Sequence, residues 1–166
     1  MEASQSVPEL VAAAQTHAKT HQDTLTRVDV PDASDAQRAE QRAATVALET
    51  AAVDVFSLFE SRMQHHFRRG PFSRKLNALL LDAKQPDLAD RFHRYYLAIN
   101  VLKHGKGASY RELLASPSDL IVVRTSDDSI TDETVPHTGL IDVTVPGFFE
   151  GLTKTILDAY QFLEKR

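Results

Sequence analysis

Asn100 and His104 stand four residues apart in a strongly helical stretch, residues 87–109. At about 100° per residue they share one side of the helix with His93, while Tyr95, Ala98, Ile99 and Leu102 fall on the other with Phe92 at its edge. An amide and an imidazole one turn apart can both reach one small ligand. Lys103 adds a cation in the last turn, where the helix dipole favours it. Lys106 follows inside a Gly-Lys-Gly turn whose flexibility lets backbone amides approach a ligand. The corner is suited to attracting an anion. Lys, His and Gly are also ordinary residues with which to end a helix.

The element that must position these groups starts at Pro86-Asp87, read as a capping side chain with Asp90 close behind, and stops at Gly105. Tyr96 and Leu97 interleave with the polar face, and a face turned to water has little use for them. The expectation is that a second surface covers it. A symmetric homodimer facing two such helices would supply one and would bring two His104 and two Asn100 together.

Asn-x-x-x-His followed by Gly at a helix end, with a capping-box pattern close behind, resembles the HEPN superfamily of small all-α domains, many of them metal-independent ribonucleases. The resemblance matches Asn100 to the polar residue of the family motif and His104 to its histidine; the arginine position holds Ile99. Lys103 or Arg94 would have to provide the missing charge, and Arg94 lies ten residues away, roughly 15 Å along the helix. It implies an up-and-down helical bundle in which His104 acts as general acid or base on a ribose 2′-hydroxyl. Asn100 would position the phosphate, with Lys103, Lys106, Arg94 and Tyr110 as substrate-binding groups. Histidine titrates near neutrality, so such cleavage needs neither metal nor other cofactor when cations hold the phosphoryl oxygens. Members of the family often act in phage defence or as toxins paired with an antitoxin. The competing expectation takes Ile99 as loss of activity and leaves a dimeric module that binds RNA or regulates a partner protein.

Composition bounds these readings. The chain has 166 residues with 42% hydrophobic content, enough for one domain and too little for two ordinary ones. With no cysteine, disulfides, thiolate metal sites and a cysteine nucleophile are excluded. No run approaches a membrane span and the first residues form no signal segment, so a cytoplasmic protein without membrane attachment is expected. A net charge of −4 argues against a broad nucleic-acid coat and leaves a local patch, Arg68, Arg69, Arg74 and Lys75, as the basic surface.

The remaining elements follow from periodicity and caps. Residues 8–25 place Leu10, Val11, Ala14, Ala18, His21 and Leu25 at helical spacing, and residues 26–33 read as a linker. His17 and His21 are four apart, but no third ligand matches them, so they read as surface histidines. Ser34 opens a helix reaching about Phe67, with Leu48, Ala52, Val55, Phe56, Phe59 and Met63 as its buried stripe. At about 45 to 50 Å it is long for the domain, so it should bend or project its first turns toward a partner. Glu49 and Glu60 read as exposed carboxylates, and His65 and His66 as helix termination rather than a catalytic pair. Residues 72–82 form a third helix with Leu76, Leu79 and Leu80 inward. Ser109-Tyr-Arg-Glu112 reads as a capping box for a short helix ending near Pro117. Residues 119–124 and 140–145 are β-branched runs, expected as the two strands of a hairpin insertion (118–146) around an acidic projection with Asp127, Asp128, Asp132 and Glu133. A last helix after Pro146-Gly147 packs through Phe149, Leu152, Ile156, Tyr160 and Leu163.

Overall fold

Serine side chains cap the first two helices, and the others start on proline, glutamine or glycine without a side-chain bond. In the computed structural model, which describes residues 5–125 and 138–166, these residues form six helices. They are α1 (Val7–Val28), α2 (Asp35–Met63), α3 (Phe72–Asp82), α4 (Pro86–His104), α5 (Ala108–Ala115) and α6 (Phe148–Glu164). The mostly α class is as expected. Ser34 caps α2 as the sequence predicts: its hydroxyl accepts from the Gln37 amide at 3.1 Å, and the Gln37 side chain accepts from the Ser34 amide at 2.8 Å. Ser6 and Glu9 form the same box at the start of α1. The start of α4 differs from expectation. Gln85 is the N-cap without a side-chain bond, and Pro86 begins the helix because its fixed φ already suits the first turn.

At 29 residues α2 is about 43 Å long. Its length is accommodated by α1, which continues past the expected residue 25 and doubles back alongside it. Arg27 closes the pair with an ion pair to Glu40 at 2.8 Å. All six residues of the expected α2 stripe are buried. Phe56 stacks on Phe92 with ring centroids 5.5 Å apart, and Phe59 and Phe72 stand edge-on to one another at the same distance. α4 is the centre of the domain. It buries Leu88, Ala89, Phe92, Tyr95, Leu97, Ala98, Ile99 and Val101, a set that runs nearly round its circumference, because α2, α3, α5 and α6 all pack on it. α6 reaches it so closely that the Tyr95 hydroxyl occupies the space a side chain at position 151 would need, which is why Gly151 sits inside a helix.

The two β-branched runs do not become strands among the described residues. Two backbone bonds join them, the Arg124 amide to the Leu140 carbonyl at 2.8 Å and the Asp142 amide to the Val122 carbonyl at 3.0 Å. Side chains then turn the backbone away. The Ser118 hydroxyl accepts from the Leu120 amide at 3.1 Å, and the Asp142 carboxylate accepts from both the amide and hydroxyl of Thr144 at 3.0 and 2.6 Å. Ile121, Ile141 and Val143 still fill the core, so their β-branched character serves packing instead of a ladder. Most of the acidic projection, with Asp127, Asp128, Asp132 and Glu133, lies outside the described residues.

Candidate functional site at the end of the central helix

The surface that covers the polar face of α4 is α5 of the same chain. Ser109 and Glu112, three apart on α5, meet Asn100 and His93, seven apart on α4. The Asn100 amide Nδ2 donates to the Ser109 hydroxyl at 3.3 Å, and His93 Nε2 lies 2.9 Å from Glu112 Oε1. This corrects the expected capping box: Gly107 is the N-cap of α5 with no side-chain bond, because both polar residues of the pattern reach across to α4. It also explains Tyr96 and Leu97 without a second copy. Leu97 is buried in the seam, and Tyr96 is half-buried with its ring stacked on His93.

The six candidate residues are not brought together. His104 is exposed and makes no hydrogen bond or ion pair with a described residue. Lys106, in the following turn, is exposed. Lys103 turns toward α2, where it lines a hollow of about 300 Å³ with Val46, Glu49, Thr50, Val53, Leu102 and Thr138. Its charge is felt by Glu60: burial pushes that carboxyl up from its ordinary value, and Lys103 and the Ser73 hydroxyl hold it back. Arg94 lies on the other side of α4, donating to Asp90 at 2.9 Å and to the Ser116 carbonyl at 2.8 Å. It borders a separate hollow with Asp90, Pro117, Ser118 and Asp119. Tyr110 is 7% exposed and its hydroxyl donates to the Arg124 carbonyl at 2.9 Å, which ties α5 to the segment beyond it. Ile99, at the motif's arginine position, is buried among apolar neighbours and 1% exposed. Neither hollow contains Asn100 or His104.

Glu49 corrects a second expectation. It is 7% exposed, and its carboxylate accepts from the Gly139 amide at 3.1 Å. Burial raises its pKa from the ordinary carboxylate value, with the Gly139 amide and the Thr138 hydroxyl acting the other way. His65 and His66, set in a tight 3₁₀ turn (Gln64–His66), bring their rings to 4.3 Å, closer than an α-helical reading of adjacent residues allows. His17 and His21 adjoin at 4.7 Å, and no group of three metal-ligating side chains occurs among the described residues. The pairing of His93 with Glu112 was missed in the sequence, and its signal was the match between polar residues on α4 and on α5.

The four expected basic residues, Arg68, Arg69, Arg74 and Lys75, are all exposed. The Phe72 ring at the start of α3 meets Phe92 at 6.4 Å, and His104 lies twelve residues further along α4, about 18 Å. Comparison with known protein families, with curated proteins and with solved structures finds no match to this chain.

Proposed function

We propose that this chain is a HEPN-like helical module that binds RNA without cutting it efficiently. The observation that carries this reading is the dispersal of the cutting set around α4. Arg94 and Tyr110 are held in structural hydrogen bonds, Lys103 faces α2, and the hollows that Lys103 and Arg94 line include neither Asn100 nor His104. Phosphoryl transfer without metal requires an acid or base and charge-stabilising donors within reach of one phosphate. Arginine's two-pronged contact is absent with Ile99 in its place, and a lysine is a poor substitute. A second reading, weak cleavage by His104, is favoured by one observation: its imidazole is exposed beside Asn100, with no described partner. Association of two copies through the central helix α4, a cytoplasmic location and regulation of a partner protein belong to the same proposal. No helix among the described residues is long and apolar enough to cross a membrane.

Incubating the full chain with mixed RNAs in EDTA separates the two readings. The module leaves RNA intact at high protein concentration. Cutting that disappears in His104→Ala, with the fold unchanged by circular dichroism, would establish the nuclease instead.

A further inference from the structure

Residues 61–81 contain five Lys and Arg, two His and no Asp or Glu, in a chain whose net charge is −4. The fold gathers them at one corner, where α2 ends and α3 begins. Phe67 and Phe72 pack together with ring centroids 5.6 Å apart, which forces residues 68–71 outward as a loop and displays Arg68 and Arg69 at its tip. Gly70 takes φ 92°, and the Lys75 side chain lies directly over it, where any Cβ would collide with the lysine's Cε. Lys75 thus lies beside the arginine loop, with Arg74 next to it and exposed.

What sets these cations apart is that they are gathered in one segment without an acidic residue, and none of them is neutralised by a described carboxylate. Arg27, Arg91, Arg94, Arg124 and Lys154 each pair with a carboxylate. Arg62, Arg68, Arg69, Arg74 and Lys75 pair with none among the described residues. The carboxylates nearby are otherwise placed. Glu60 is half-buried against Ser73, and Glu164 faces His66 at 3.7 Å, beyond hydrogen-bond reach. The corner also carries an aromatic surface. His65 is exposed, its Nδ1–H donates to the Arg62 carbonyl at 2.9 Å, and its ring lies against His66, which fixes a flat face beside the cations.

Cations that follow a backbone together with a ring on which a base can stack are what a single-stranded polynucleotide requires. A membrane surface would instead want apolar side chains to insert beside the cations, and the exposed large hydrophobic residue of this segment, Leu81, lies at the other end of α3 from the arginine loop. Resting on the RNA reading above, we infer that this corner is a binding site for a single-stranded polynucleotide, with Arg68, Arg69, Arg74 and Lys75 on the phosphodiester backbone and His65 stacking on a base.

The test is fluorescence anisotropy with the full chain and labelled 20-nucleotide RNA and DNA strands of mixed sequence, at several salt concentrations. Vesicles of phosphatidylserine and phosphatidylcholine serve as competitor. The joint variant Arg68→Ala, Arg69→Ala, Arg74→Ala, Lys75→Ala is expected to weaken RNA binding by roughly tenfold or more. It should also flatten the log–log salt slope by about two to three, close to 0.7 for each phosphate no longer neutralised. His65→Ala should weaken binding about threefold or more and leave the slope alone. All five substitutions lie at exposed positions, and circular dichroism confirms the fold. Binding that survives the joint variant, absence of binding to either strand, or displacement of RNA by the vesicles overturns the site. A protein that holds DNA but not RNA through these residues overturns the RNA reading and leaves the site standing. RNA bound here and also cut through His104 overturns only the non-cleaving reading.

Discussion

Glu49 shows what one residue does when the fold removes it from water. Its folded pKa is raised, so its contribution to stability is fully present below the unfolded carboxylate value and is lost as pH rises through the folded one. Asp142 and Asp158 have the opposite sign. Burial tends to raise both, but hydrogen bonds and charges outweigh it: Thr144 and Arg124 at Asp142, Lys154 and Arg91 at Asp158. Both carboxyls therefore lie below their ordinary value, and their contribution is lost as pH falls through the folded pKa. Glu49→Gln cannot ionise and keeps an oxygen for the Gly139 amide. It is expected to melt higher than the wild type at pH 7, with the gap closing toward pH 4. Thermal melts across that range check the sign, and a variant that melts lower at every pH contradicts it. The burial of Glu49 was not readable from the sequence. The face of α2 it occupies is covered by Gly139, ninety residues away along the chain.

At the scale of the element, most helices could be read from local residues. The α3 range is the expected one, and Ser34 and Gly105 mark helix ends as predicted, because caps and periodicity act over a few residues. The misreadings have two causes. Ser109 and Glu112 have the spacing of a capping box, but partners on α4 take their side chains, whereas the runs 119–124 and 140–145 have the composition of strands, but the side chains of Ser118 and Asp142 take backbone amides two residues on. Gly151 makes the same point as a prediction. Gly to Ala inside a helix ordinarily stabilises by up to about 1 kcal/mol. Here the new methyl meets Tyr95, which is buried and held by the Phe148 ring at 5.8 Å. Gly151→Ala is expected to cost about 1–3 kcal/mol, as overpacking does. A chemical denaturation curve measures it, and a stabilised variant would show that α6 can move away from α4.

Across the whole molecule, the cations gather around the start of α3, whose Phe72 ring meets Phe92, twelve residues before the candidate imidazole on α4. Helical spacing put Asn100 and His104 on one face, and both do lie on α4 one turn apart. What it left out was how α2 and α5 divide the surroundings of that face between them. In the proposed homodimer a second copy would lie on the part of Tyr96 that the chain's own α5 leaves uncovered. Sedimentation velocity at micromolar concentration is expected to show a dimer that Tyr96→Glu weakens by several kcal/mol, since the charge would enter a desolvated interface. A wild-type monomer under those conditions contradicts the association.

The measurement that bears most directly on the account is a paired one, made on the same sample of the full chain and labelled RNA in EDTA. Anisotropy reports binding, and a denaturing gel reports strand integrity. The account predicts RNA that is bound through the basic corner and remains uncut at protein excess. RNA cut by the wild type and left whole by His104→Ala would contradict it.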